Sequence, residues 1–289
     1  MCYKELWQCL TKVYDEGEAK AIACMAYEER FGLTLSDIYL GKDTQLSADS
    51  QAELEEIAMR LLQGEPIQYV LGHADFCGRT FLVNEHVLIP RPETEELCQW
   101  ESLPLPSPKG EGAKILDIGT GSGCIAITLA AMYPEAEVTA WDISAEALEV
   151  ARENARRHNV HVSFEQVDAL NISLTSHLSP LTSEYDLIVS NPPYICNKER
   201  EAMAPNVLEH EPHTALFVPD DDPLLFYRAI AQYGQTALKD GGWLYFEINP
   251  LYADSLRDML CAMRFCRIEI KADQYGKQRM IKAMKENEK

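Results

Sequence analysis

The sequence predicts an α/β chain, a mostly parallel sheet covered by helices on both faces, preceded by a small helical domain. Three observations carry this expectation. From Lys114 onward, short apolar runs alternate with stretches whose apolar residues recur every three or four positions, the pattern of strands joined by crossover helices. A glycine-rich turn, "DIGTGSGC", follows the first of those runs. Ahead of Gly72 only the helical period is found.

Taken in order, "KELWQCLTKVY", "EAKAIACMAYEERFG" and "SADSQAELEEIAMRLLQG" read as helices, the third capped by Ser47 or Asp49 and closed by Gly64 with Pro66. "ADFCGRTFLVNEHVLIPRPETEEL" has the alternating runs of a β-hairpin, leading through a proline-rich turn into a helix. Its Pro, Gly and Ser mark "LPLPSPKGEGAK" as a linker or loop. Strands follow at "KILDIG", "EVTAWDI", "VSFEQVD", "YDLIVSN", "GWLYFEIN", "CRIEIKAD" and "QRMIKAMK", with helices at "GCIAITLAAMY", "SAEALEVARENARRHN", "PLLFYRAIAQYGQTAL" and "YADSLRDMLCAMRF". The expected division is a helical domain over 1–72, a hairpin and linker over 73–112, and the sheet domain over 113–289.

At 289 residues the chain has room for two unequal domains, and a hydrophobic fraction of 46% is that of a globular protein in water. A net charge of -20 argues against a broad nucleic-acid surface, because phosphate binding rests on Lys and Arg displacing counterions. The start lacks a signal peptide's apolar run and cleavage site, and no segment has the apolar length of a membrane span, which points to the cytoplasm. Nine cysteines, scattered without a C-x-x-C pair or a histidine cluster, signal neither a disulfide framework nor a metal site.

Ligands of such sheets bind outside the carboxyl ends of the strands. Gly119, Gly121 and Gly123 let the backbone turn tightly there and approach a ligand without a Cβ in the way. Dinucleotides and S-adenosylmethionine both use this device. The spacing here is G-x-G-x-G, with Cys124 where the dinucleotide pattern has its last glycine. Asp142 closes the second strand about twenty residues on, where a carboxylate can accept both ribose hydroxyls. Asp168 ends the third, at the same sheet edge and within reach of an adenine amino group. Asp117 serves either the loop backbone or the cofactor's ammonium region, since a buried acid needs partners in both cases.

The fourth strand ends in "SNPPYI", where Pro192 and Pro193 give no N–H to a ladder and stiffen the turn. Beside a methyl donor this turn reads as an amino-group clamp. An amide or exocyclic amino nitrogen is a poor nucleophile because its lone pair is delocalised. Two acceptors, the Asn191 side-chain oxygen and the Pro192 carbonyl, would draw its N–H groups toward tetrahedral geometry and aim the lone pair. Tyr194 offers a ring face for a planar group.

"GEPIQYVLG", "LIPRPETEEL", "ILDIGTGSGCIAITLA", "DLIVSNPPYI" and "EHEPHTALF" stand in the order found in the HemK/PrmC family, which nearly the whole chain resembles. These are the protein-(glutamine-N5) methyltransferases of peptide chain release factors. The resemblance implies a Rossmann-like class I S-adenosylmethionine-dependent methyltransferase sheet with a small helical N-terminal domain and a connecting β-hairpin. It implies methyl transfer from S-adenosyl-L-methionine to the glutamine of a release factor's Gly-Gly-Gln tripeptide, with no membrane or nucleic-acid partner. By position, Gly119, Thr120, Gly121, Ser122, Gly123 and Asp142 would hold the cofactor. Asn191, Pro192, Pro193 and Tyr194 would hold the glutamine, Asn191 also lying near the cofactor. Arg91 and Glu93 of "IPRPETE" would border the pocket, or Arg91 would tether the domains. The helical domain would help recognise the release factor.

Departures from the family pattern are Ala169, where some members carry an aromatic residue, Gln278, where an acid is frequent, and "EINPLYADSL", which leaves Glu247 without an assigned chemical role. Competing readings are a ribosomal-protein glutamine methyltransferase, whose members tend to lack the "RPET" run, and an adenine-N6 or guanine-N2 nucleic-acid methyltransferase, which the charge disfavours. A dinucleotide oxidoreductase would leave "NPPY" unexplained, and a cofactor-binding adaptor would share the pocket without turnover.

Overall fold

The computed structural model describes residues 1–100, 105, 109–172 and 185–286. Residues 103, 104 and 106–108 of the expected linker lie outside them. Two compact units emerge, one of Met1–His73 with Met203–Glu211, the other of Ala74–Ala202 with Pro212–Lys289.

In the first unit, α1 (Tyr3–Leu10), α2 (Glu16–Phe31), α3 (Leu35–Tyr39), α4 (Ala48–Leu62) and α5 (Ile67–Leu71) surround a core that includes Leu6, Leu10, Tyr27, Leu54 and Leu61. Asp15 caps α2 by accepting from the Glu18 N–H, and Gly32 closes it at φ 65°. Of the two cap residues considered for α4 it is Ser47 that accepts, from the Ser50 N–H. The five-residue helices α3 and α5 were not expected, because one turn is too short to show a period; α3 is set instead by the reciprocal Thr34 and Asp37 capping box.

Next in the chain are β1 (His73–Phe76), within the second unit from Ala74 on, and β2 (Arg79–Leu82), joined by Cys77 at φ 49° and Gly78 at φ 69°. Two positive φ angles are what a tight hairpin turn requires. Next come α6 (Pro92–Cys98), β3 (Lys114–Ile118), α7 (Cys124–Met132), β4 (Glu137–Asp142), α8 (Ala145–His158), β5 (Ser163–Gln166) and β6 (Tyr185–Ser190). Elements to which the sequence reading gave no secondary structure follow: β7 (Ile195–Cys196), α9 (Pro205–His210), which groups with the first unit, and β8 (Phe217–Val218), parallel to β7. Strands of two residues carry no alternation to read. The chain ends with α10 (Leu225–Ala237), β9 (Leu238–Glu247), α11 (Ala253–Ala262), β10 (Phe265–Ala272) and β11 (Gln278–Lys285).

These strands form the expected sheet, in the order β10-β11-β9-β6-β3-β4-β5. The five from β9 to β5 are parallel and β11 runs antiparallel to both neighbours. One face packs on α6, α7 and α8 through Leu97, Ile127, Leu129 and Ala155; the other packs on α10 and α11 through Tyr227, Ile230, Leu256 and Leu260. Burial on both faces is why β3 and β6 read as continuous apolar runs. Strand β9 begins earlier than its apolar run, passing an irregular register at Gly241 and Gly242; a Cβ on Gly242 would stand 2.9 Å from the Lys239 carbonyl. The chain leaves β3 and β6, central neighbours, toward opposite faces, and the crevice of a doubly wound sheet opens at such a point.

Candidate active site

A cavity of about 380 Å3 lies at the carboxyl ends of β3, β4, β5 and β6. Gly119 and Gly121 line it from the turn after β3, Asp142 from the end of β4, Asp168 from beyond β5, and Asn191, Pro192 and Pro193 from the turn after β6. Seven of the residues singled out by sequence thus converge on one space. Thr120, Ser122, Gly123, Tyr194 and Arg91 are not among the residues that line it.

Thr120 and Asp117 build the loop. The Thr120 hydroxyl donates to Asp117 Oδ2 at 2.6 Å, and the Ala126 N–H in the first turn of α7 donates to the same oxygen at 3.2 Å. Of the two roles weighed for Asp117, the loop-holding one is visible. Its Oδ1 has no hydrogen-bond partner among the described residues, and burial pushes its pKa up to about 7. Ser122 is buried, and its carbonyl accepts from Asn154 Nδ2 at 2.8 Å. The same Asn154 amide spans the Leu82 N–H and carbonyl at 2.7 and 3.0 Å, so one side chain of α8 ties the hairpin to the loop. Gly123 caps α7 at φ 82°, where a Cβ would stand 2.9 Å from Ile127 Cδ1 and 3.1 Å from Ala151 Cβ. Gly123→Ala is therefore expected to cost about 2 kcal/mol or more in urea unfolding, from left-handed strain plus overpacking.

Asp142 accepts the Gly121 N–H through Oδ2 at 2.8 Å and the Ser144 N–H through Oδ1 at 3.0 Å. Burial pushes its pKa up and these backbone donors resist the shift. Each oxygen keeps a lone pair for a further donor, which is what a ribose diol offers. Asp168 accepts the Leu170 N–H at 2.8 Å and Asn171 Nδ2 at 2.5 Å. Ala169 lines the cavity beside Ile143 and Leu170, so apolar contact is supplied there without an aromatic ring.

Behind the clamp turn lies a network that sequence reasoning missed. Asn191 Nδ2 donates to Thr94 Oγ1 at 3.1 Å, Thr94 Oγ1 donates to Glu247 Oε2 at 2.5 Å, and the Tyr194 hydroxyl donates to Glu247 Oε1 at 3.0 Å. Thr94 and Glu247 are each 2% exposed. Arg91 occupies the N-cap position of α6, ahead of Pro92, and its charge acts on Tyr194. Asn249 Nδ2 holds the Tyr194 carbonyl at 3.1 Å and Glu199 at 3.0 Å. A signal for Glu247 was present: an acid at the end of an apolar strand, in the sheet edge that also carries the clamp. His86, which also lines the cavity, had no signal beyond its residue type.

No lysine or arginine lines the cavity among the described residues, whereas two carboxylates do. Two carboxylates on the wall suit a cofactor with a positive charge and a ribose, and no side-chain cation stands there for a pyrophosphate. The fold and the site define a class I methyltransferase. Residues 103–216 match the methyltransferase small domain family, and residues 4–72 match the PrmC N-terminal domain. The chain is similar to a release factor glutamine methyltransferase of Bacteroides thetaiotaomicron, 45% identical over 96% of each chain, and to one of Flavobacterium psychrophilum, 43% identical over 95% of each. A solved methyltransferase from Pyrococcus furiosus matches 83% of this chain and 100% of its own at 15% identity and a TM-score of 0.52, a likeness of fold alone. This chain belongs to the release factor glutamine methyltransferase family.

Proposed function

We infer that the chain transfers a methyl group from S-adenosylmethionine to the side-chain amide nitrogen of the glutamine in a peptide chain release factor's Gly-Gly-Gln tripeptide. The observation that carries this reading is the presence of Asn191, Pro192 and Pro193 on the wall of the same cavity as Gly119, Gly121 and Asp142. S-adenosylmethionine supplies a methyl group made electrophilic by its sulfonium. Gly119 and Gly121 give it a close backbone approach, Asp142 accepts its ribose hydroxyls, and Asp168 faces its adenine. Asn191 Oδ1 and the Pro192 carbonyl accept the two N–H groups of the glutamine amide and hold its nitrogen lone pair in line for displacement. Tyr194 fixes the turn through its hydroxyl, and Arg91 lends charge beside it. The nitrogen–methyl bond would form as the sulfur–methyl bond breaks, S-adenosylhomocysteine would leave with that electron pair, and one amide proton would pass to solvent. Residues 1–72 contribute to recognising the release factor, and the cytoplasm is the site of action. No helix among the described residues is long and apolar enough to cross a membrane.

The test is mass spectrometry of a release factor after incubation with this protein and S-adenosylmethionine, beside a factor whose Gly-Gly-Gln glutamine is replaced by alanine. One added methyl on that glutamine, absent from the replaced factor, is the expected result. No gain on a folded factor overturns the reading.

A further inference from the structure

We propose that Thr94 and Glu247 are positioning residues that fix which end of the Asn191 amide faces the cavity. This rests on the reading of Asn191 as the acceptor for the substrate amide. The argument begins with a carboxylate. Ionised Glu247 can only accept, and its two oxygens are taken by the hydroxyls of Thr94 and Tyr194 at 2.5 and 3.0 Å. Thr94 has a single hydroxyl proton, and that proton is committed to Glu247. Toward Asn191 its oxygen can therefore only accept, which selects the Nδ2 end of the amide, at 3.1 Å. Because the amide is planar, Oδ1 is the end left for the cavity that Asn191 lines. Were the amide reversed, its NH2 would meet the N–H groups of the incoming amide, donor against donor.

Several features hold the relay in its working direction. Burial and, less, the charge of Glu93 push the Glu247 pKa up, while its two hydroxyl donors and the charge of Arg279 oppose that shift. The Tyr227 hydroxyl anchors the Glu247 backbone carbonyl at 3.1 Å. Thr94 is the third residue of α6, in the turn that Pro92 starts, so the helix start places its hydroxyl.

The test compares Thr94→Val with Thr94→Ser. Valine keeps the shape and removes the hydroxyl; it should lower kcat by about 10- to 100-fold, the size of a lost orientation, with Kd for S-adenosylmethionine within about twofold of wild type. Serine restores the hydroxyl and should return kcat to within about threefold of wild type. In an Asn191→Ala background Thr94→Val should have no further effect on kcat, because a residue acting through Asn191 has nothing left to orient. Should Thr94→Val alone not fold, Thr94→Val with Glu247→Gln removes the buried charge while leaving an acceptor for Tyr194, and carries the same expectation. Wild-type kcat in a folded valine variant, or failure of serine to restore it, overturns the relay. Wild-type kcat in Asn191→Ala alone overturns the underlying clamp instead, so the two failures are distinct.

Discussion

Asn191→Ala is expected to bind S-adenosylmethionine with unchanged affinity and to lose about 10²- to 10³-fold in kcat, the usual consequence of deleting one preorganised partner of the reacting group. Cofactor affinity should hold because the contacts assigned to the cofactor come from Gly119, Gly121, Asp142 and Asp168, whose positions depend on the loop after β3 and on backbone donors. Asn191 takes no part in that scaffold. Folding should hold as well, since Thr94 keeps its bond to Glu247 when Asn191 is shortened and loses only a donor it accepted. Calorimetric titration with S-adenosylmethionine beside single-turnover methylation separates the two quantities. A parallel loss of affinity and rate would mean that Asn191 serves the cofactor, and an unchanged rate would remove the clamp mechanism.

The legible and illegible parts of this site differ in physical kind. Backbone-determined features announce themselves in a sequence. Three glycines in five positions, two adjacent prolines after an apolar run, and acids at successive strand ends mark Gly119, Pro192, Asp142 and Asp168, and the sheet register brings them to one edge. The side-chain relays were not legible, because their members lie far apart in the chain. Thr94, Asn191 and Glu247 meet across separations of 97 and 153 residues, and Asn154 reaches Leu82 across 72. Tyr194 shows the limit within a motif. Its place beside Pro193 was readable, but its hydroxyl turned to Glu247 and its absence from the cavity wall depend on where β9 ends.

Asp117→Asn is expected to stabilise the cofactor-free protein at pH 8 and to change it little near pH 4. The folded-state pKa of about 7 lies above the ordinary 3.8, so between those values the folded protein keeps a proton that the unfolded chain releases. Stability contributed by this group therefore falls as pH rises through that window, and above pH 7 the full cost of a buried carboxylate is present, ~4 kcal/mol at most by linkage. Asparagine carries no such charge. Its Oδ1 can replace the oxygen that accepts from Thr120 and Ala126, while its amide takes the place of the oxygen that lacks a partner. Glu247 and Asp142 are also shifted upward, so the wild-type curve alone mixes several groups. The difference between wild type and Asp117→Asn isolates one of them. Urea unfolding at pH 4, 6 and 8 without cofactor should show the two stabilities diverging by about 2 kcal/mol or more toward pH 8. Parallel curves would mean that Asp117 is ionised at little cost and that the loop tolerates its charge unaided. Divergence would mean that the loop carries the cost of a buried carboxylate above pH 7, which the substitution removes.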